Sequence, residues 1–268
     1  MGTIAKLIKT IMPNTVLKTV ELFGLHINST NFQESVDLLS EQVPLRPAKV
    51  VVTPNVDHVI SLNEDPKLRA LYATADFTFA DGMPLVWASR LLGDRLPERI
   101  TGADIFVALC KQSERLNWRV AMVGGTPGQE ELLAARFASV FPNLKVSIYS
   151  PPMGFDYRSP TAKATLDWVN SVHADIVFVC LGFPKQCLWS LNFRNEIDAG
   201  LVLCVGSAMA FALGLKKRAP IWMQHAGLEW LFRLITHPVT LWRRYLLRDT
   251  KFFPLMWRMW CSRSRKAN

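Results

Sequence analysis

The strongest constraint on this chain is a unit that recurs between Lys49 and Asp104: a short apolar run, an abrupt polar stop, then a helical pattern. Val50–Val52 stops at Thr53-Pro54-Asn55, and Phe77–Ala80 stops at Asp81-Gly82. Runs this short and this apolar read as buried strands of a parallel sheet. Because helices follow at once, Asn55 and Asp81 fall at the carboxyl edge of the sheet, where ligands of open α/β folds collect. A carboxylate there, followed by a glycine that lets a ligand approach, suits a general base. The same carboxylate suits a cap on the helix from Met83 to Leu92. Spacing leaves the two roles open.

The rest of the chain repeats the pattern. Val20–Ile27 reads as a first strand, and Asn31–Gln42 as a helix capped by Ser29 or Thr30. A helix follows Asn55, and another opens at Asp65-Pro66, where proline suits the first turn. Thr101-Gly102-Ala103-Asp104 leads into a helix ending near Leu116. Strands follow at Arg119–Val123, Val146–Tyr149, Ile176–Leu181 and Leu201–Val205, with helices at Gln129–Val140, Thr161–Val172 and after Gln186. This alternation predicts an α/β fold, a Rossmann-like, mainly parallel sheet with helices on both faces. The body spans residues 20–213, after an N-terminal extension of residues 1–19. The extension has no long apolar stretch or cleavage site, which argues against a secretory signal.

From residue 214 to 268 the strands stop, and a helical appendage is expected, with helices at Pro220–Ile235, Pro238–Leu247 and Phe252–Trp260. The chain's net charge of +9 is concentrated there. The segment holds twelve Lys and Arg against Glu229 and Asp249 alone, a charge of +10, which leaves the body at −1. Basic residues interleaved with Trp, Phe and Leu form a basic amphipathic surface suited to an anionic membrane. The same pattern serves a cap that buries its aromatics on the body, and both uses are open to different faces. A nucleic-acid stripe and a non-catalytic membrane scaffold are the rival readings. Amphipathic spacing and polar strand ends disfavour them, so no nucleic-acid partner is expected. The five cysteines show no C-x-x-C spacing and read as reduced thiols of a cytoplasmic protein.

Three turns are shaped for phosphate. Gly124-Gly125-Thr126-Pro127-Gly128 follows a strand and opens a helix. It is not a dinucleotide fingerprint, because Val123 takes the first glycine position and no acid ends the next strand. Gly182-Phe183-Pro184-Lys185-Gln186 brings a cation and an amide to a helix start, and Gly206 opens the turn after the last strand. None of the twelve aspartates lies two residues from another. With no D-x-D pair and no His/Cys cluster, neither a metal site nor any other cofactor is expected. Arg218, Arg233, Arg243 and Arg244 are the candidates for binding phosphate by charge instead.

TPN, ADGMPLVWASRLLG, PERITGAD, MVGGTPG, LGFPKQ and KRAPIWMQHAGLEWLFRL stand in an order that resembles the WecG/TagA/CpsF glycosyltransferases of bacterial surface-polysaccharide and teichoic-acid assembly. The resemblance covers roughly residues 20–253. It implies an inverting transferase, moving a sugar from a UDP-sugar to a polyprenyl-diphosphate-linked saccharide; the missing D-x-D pair adds that the transfer is metal-independent, with Arg218, Arg233, Arg243 and Arg244 neutralising the departing diphosphate. The enzyme would sit peripherally on the cytoplasmic face of the inner membrane, with a homo-oligomer possible. N-acetylmannosamine, its uronic acid and glucose all occur as donor sugars among such enzymes. On this reading Asp81 is the base, with Thr53 and Asn55 orienting a sugar. Gly82, Arg99, Thr101 and Asp104 then belong to the substrate site. Gly124, Gly125, Gly182, Pro184, Lys185, Gln186 and Gly206 hold the nucleotide. Cys187 and Ala210 depart from the family pattern, where Glu and Asp are common, and this bears on sugar recognition.

Overall fold

The computed structural model describes residues 17–267, so the expectations for residues 1–16 lie outside the described residues. Six strands form one sheet in which every pairing is parallel. They are β3 (Lys49–Val52), β4 (Phe77–Thr78), β5 (Arg119–Gly124), β6 (Lys145–Tyr149), β7 (Ile176–Cys180) and β8 (Leu201–Cys204), in spatial order β4-β3-β8-β7-β5-β6. The late strands β7 and β8 lie between β3 and β5. The turns carrying Asn55 and Asp81 therefore stand on one side of β8, and the glycine turns after β5 and β7 on the other.

Side chains of successive strand residues point to opposite faces, and each face carries its own core. Val50, Val52, Val177, Val179 and Val202 belong to one cluster. Helices α2 (Val56–Glu64), α3 (Pro66–Tyr72), α4 (Met83–Leu91), α7 (Pro160–Ser171) and α8 (Lys185–Phe193) contribute to it. Val51, Met122, Phe178, Leu201 and Leu203 belong to the other, with α5 (Gly102–Leu116), α6 (Glu130–Val140) and α9 (Ala208–Ala212). The fold is thus α/β with helices on both faces, as the alternation of elements predicts.

Some local expectations are corrected. The run Val20–Ile27 is a hairpin, β1 (Thr19–Leu22) paired antiparallel with β2 (Leu25–Asn28). Phe23 and Gly24 form its two-residue turn, both at positive φ, the geometry that matches strand twist in tight hairpins. Helix α1 (Phe32–Gln42) is capped by Asn31 rather than by Ser29 or Thr30. Asn31 accepts from the Glu34 N–H and Glu34 reaches back, a reciprocal capping box. Thr30 instead pairs with Ser35 at 2.7 Å. The helix expected at Pro220–Ile235 breaks at Gly227 into α10 (Ile221–His225) and α11 (Glu229–Thr236). The one at Pro238–Leu247 leaves α geometry after Arg243: α12 (Pro238–Arg243) passes into a π turn, Arg244–Arg248, then a 3-10 turn, Asp249–Lys251. Helix α13 (Phe252–Ala267) closes the described chain. A π turn adds a residue to the helical repeat and re-aims the side chains that follow.

The appendage docks on the body. Phe252 is 5 % exposed and lies against Phe23, ring centroids 4.9 Å apart. Leu255, Met256 and Met259 pack on the same core. Five of the tail's cations pair with body carboxylates: Arg218 with Asp104, Arg244 and Arg248 with Asp57, Lys251 with Glu64 and Arg263 with Asp94. Arg263 also donates to the Glu21 carbonyl at 2.7 Å. Among the described residues no helix is long and apolar enough to cross a membrane. Phe252→Ala removes a fully packed aromatic, so we expect a loss of about 3–5 kcal/mol in chemical denaturation. A change near zero would mean that the appendage unfolds independently of the body.

Candidate active site

The strand expected at Phe77–Ala80 is regular only over Phe77–Thr78, so Asp81 stands three residues past the end of β4, and it does not cap the helix that follows. Gly82 occupies the cap position of α4, and no side chain bonds its first turn. Gly82 has φ +130°, a conformation L side chains rarely adopt, so the chain leaves the strand sharply and turns the Asp81 carboxylate toward α5. There Asp81 Oδ2 accepts from the Gly102 N–H at 3.4 Å. Thr101 caps the same helix, its Oγ1 accepting from the Asp104 N–H at 3.1 Å. Gly102 is also the joint between the two halves of the sheet edge. A Cβ there would stand 3.0 Å from Thr53 Oγ1 and 3.5 Å from Val205 Cα.

A cavity of about 630 Å³ opens over Asp81. Asn55, Gly82 and Arg99 line it from the body, and Glu229, Trp230, Arg233, Arg244, Tyr245 and Asp249 from the appendage. Its six charged residues are three carboxylates and three arginines. Asn55 caps α2 by accepting from the His58 N–H at 3.2 Å, which leaves its amide NH₂ as the donor it offers the cavity. His58 is no rival base: burial first, then Arg244, pushes its pKa down to about 3. It stacks on Phe183 with ring centroids 4.0 Å apart.

Glu229 is the hub of the roof. It accepts from Arg99 at 3.1 Å and Arg233 at 2.6 Å, and Arg218 Nε stands 3.9 Å away. Burial pushes the Glu229 carboxyl up, but Arg233, Arg218 and Arg99 outweigh it and hold it below the usual range. Arg218 is committed to Asp104 through two bonds, 2.5 and 3.0 Å. Gly227 lets this roof come down. Its φ is +72°, and a Cβ would stand 2.8 Å from Met83 Cβ and 2.9 Å from Trp87. The Asp81 carboxyl is raised by burial to about 6, with Glu229 adding to the rise and Arg233 and Arg99 opposing it. Asp249 is raised to about 6 as well, by burial and then by Asp57, with Arg244 and Arg248 opposing.

The remaining sequence candidates fall into two groups. Gly124 and Gly125 after β5, Gly182, Pro184 and Lys185 after β7, and Gly206 after β8 lie at the carboxyl ends of adjacent strands, outside the lining of the Asp81 cavity. Gln186 joins two of these turns, its Oε1 accepting from the Gly206 N–H at 2.9 Å. Arg243 does not reach the cavity; it is exposed, with its guanidinium over Trp242 at 5.4 Å. Glu229, Trp230, Tyr245 and Asp249 were not singled out by their chemistry. For Glu229 and Asp249 there was one available signal, that they are the only acids in a segment of twelve cations.

Such a site offers a half-buried carboxylate able to take a proton near neutral pH, beside guanidinium groups able to hold phosphate. Removing the Glu229 charge tests the electrostatics directly. Glu229→Gln deletes a neighbour that raises Asp81 and releases two arginines that lower it. The Asp81 carboxyl should then titrate clearly below 6 in a carbon-detected NMR titration; an unchanged or higher midpoint would contradict the assigned causes.

Two curated relatives are similar over most of their length. Both are called N-acetylglucosaminyldiphosphoundecaprenol N-acetyl-beta-D-mannosaminyltransferase. The one from Bacillus subtilis (strain 168) is 27 % identical over 86 % of this chain and 88 % of its own length. The one from Bacillus spizizenii is 30 % identical over 73 % of this chain and 74 % of its own. A family match, glycosyl transferase WecG/TagA/CpsF, runs over residues 20–266. That span takes in both the sheet edge bearing Asp81 and the appendage that roofs it, so the chain belongs to the WecG/TagA/CpsF family of glycosyl transferases.

Proposed function

We propose that the chain transfers a sugar from a UDP-sugar to a saccharide on a polyprenyl diphosphate, at the inner face of a bacterial membrane, without a metal ion. The observation that carries this reading is Asp81, raised to about 6 in a cavity whose other charged groups include Arg99, Arg233 and Arg244. The names of the relatives supply the acceptor class and favour N-acetylmannosamine as the sugar. In the step, the acceptor hydroxyl oxygen bonds to the anomeric carbon, and its proton passes to Asp81. The bond from that carbon to the donor diphosphate breaks, and its electron pair leaves with the diphosphate oxygen. Displacement by a single attack inverts the anomeric centre. Arg233 and Arg244 take the growing negative charge, in a site already arranged to receive it. Arg99 supports them through Glu229, and Arg218 with Thr101 and Asp104 holds the α5 start in place.

The glycine turns after β5, β7 and β8 hold the nucleotide, with Lys185 exposed at the start of α8. Membrane attachment uses what docking leaves over. Lys216, Lys217, Arg243 and Arg258 are exposed and form no ion pair among the described residues. Trp222, Val239, Leu246 and Leu247 stand exposed in the same segment. Four cations near an anionic surface contribute about 1 kcal/mol each, a reversible, salt-sensitive attachment that the apolar side chains extend.

Three outcomes follow. With a base at about 6, kcat/KM should rise tenfold per pH unit below 6 and level above it, because only the ionised carboxylate accepts the proton. Asp81→Asn should bind donor normally, lose roughly a hundredfold or more in turnover and lose that pH limb. Near-normal turnover by the folded variant would remove Asp81 from the role. Transfer should also persist in excess EDTA; loss on chelation with rescue by magnesium or manganese would refute the arginine account.

A further inference from the structure

Helix α13 carries two apolar stripes, and folding uses only one of them. Phe252, Leu255 and Met259 face the body. Phe253, Trp257 and Trp260, spaced four and three residues apart, stand 63, 62 and 42 % exposed. A helix that only docks on a core needs a single stripe. Together with Pro254, Met256 and Leu91 of α4, the second stripe lines a groove of about 550 Å³ whose wall is entirely apolar side chains. Trp257 and Trp260 form a pair with ring centroids 5.1 Å apart.

The groove adjoins the cavity over Asp81. Leu91, Phe253 and Met256 line both. We infer that this groove seats the first isoprene units of the acceptor's polyprenyl chain. The inference rests on the proposed function and extends it to the acceptor's tail. An acceptor whose sugar hydroxyl meets Asp81 carries its own diphosphate one sugar away, at the rim of the same cavity and apart from the donor diphosphate that Arg233 and Arg244 face. Its chain must then leave across a wall of that cavity, and the Leu91–Phe253–Met256 edge is the one that opens into an apolar channel. A surface that merely dips into lipid needs neither a concave shape nor a connection to the site. Burial of branched hydrocarbon there would let the enzyme read the lipid as well as the sugar.

The test is a binding series on the full chain. Acceptors with one N-acetylglucosamine diphosphate head and one to four isoprene units are kept monomeric and titrated by calorimetry. Kd should tighten by roughly tenfold with each of the first added units and then level off when the groove is full. Trp257→Glu should flatten this gradient, weakening the four-unit acceptor far more than the one-unit acceptor, whereas Trp257→Leu, which stays apolar, should keep most of it. A Kd independent of chain length, or equal weakening at every length, would overturn the inference. So would loss of vesicle sedimentation in Trp257→Glu with an unchanged gradient, which would assign the groove to the bilayer. Assaying transfer with the same series separates the two proposals. Length-dependent binding without transfer from any UDP-sugar would refute the reaction and keep the groove; transfer with flat binding would refute the groove alone.

Discussion

Glu229 lies among Arg99, Arg218 and Arg233, and the rest of the site depends on that cluster. Arg99 belongs to the loop before α5, Arg218 to the start of the appendage and Arg233 to its second helix, so one carboxylate ties three segments together. Largely buried charges of this kind are costly to leave unpaired, on the order of 3–5 kcal/mol when a partner is removed. The cluster therefore fixes where the roof sits over Asp81. It also sets the electrostatics beneath: Glu229 raises the Asp81 carboxyl while Arg233 and Arg99 lower it, and burial decides the balance.

The appendage's large positive charge has a different use from the one its sequence suggests on its own. Arg244, Arg248 and Lys251 run along α2, meeting Asp57 and Glu64, and Arg263 reaches Asp94 beside the hairpin. The π turn at Arg244–Arg248 re-aims the chain between the cavity and α2, which places Arg244 and Tyr245 in the lining and Arg248 on Asp57. Much of the tail's charge is thus balanced internally. Attachment to lipid, as proposed, falls to the smaller set of exposed cations and to the exposed aromatics and leucines.

The sheet was legible because buried parallel strands leave an unmistakable pattern, largely apolar runs of three to six residues stopped by Thr53, Asp81, Gly124, Gly182 and Gly206. Asp81 was legible for the same reason, since position at a strand end is a local property. The strand order was not: nothing in Leu201–Val205 says that it inserts between β3 and β7, because that is decided by which faces the helices cover. The hairpin hid inside Val20–Ile27, where Phe23 takes a positive φ that aromatic residues seldom adopt. The roof was the least legible part. Glu229 and Asp249 read as stray acids in a basic tail until folding sets Arg99 and Asp57 beside them. Gly227 lies inside the helix expected at Pro220–Ile235, and the reason that the helix breaks there, the close approach of Met83 and Trp87, lies well over a hundred residues away in sequence.

The central claim is that the appendage completes the catalytic site and does not only anchor it. The most direct measurement is transfer to a short-chain, fully dispersed acceptor by full-length Arg233→Gln and Arg244→Gln variants, with vesicle sedimentation measured in parallel. Neither residue belongs to the exposed cations assigned to lipid. The account predicts that kcat falls by roughly a hundredfold, the scale for losing a preorganised charge at a departing diphosphate, while sedimentation is unchanged. Full turnover on the dispersed acceptor together with weakened sedimentation would contradict it and confine the appendage to the membrane.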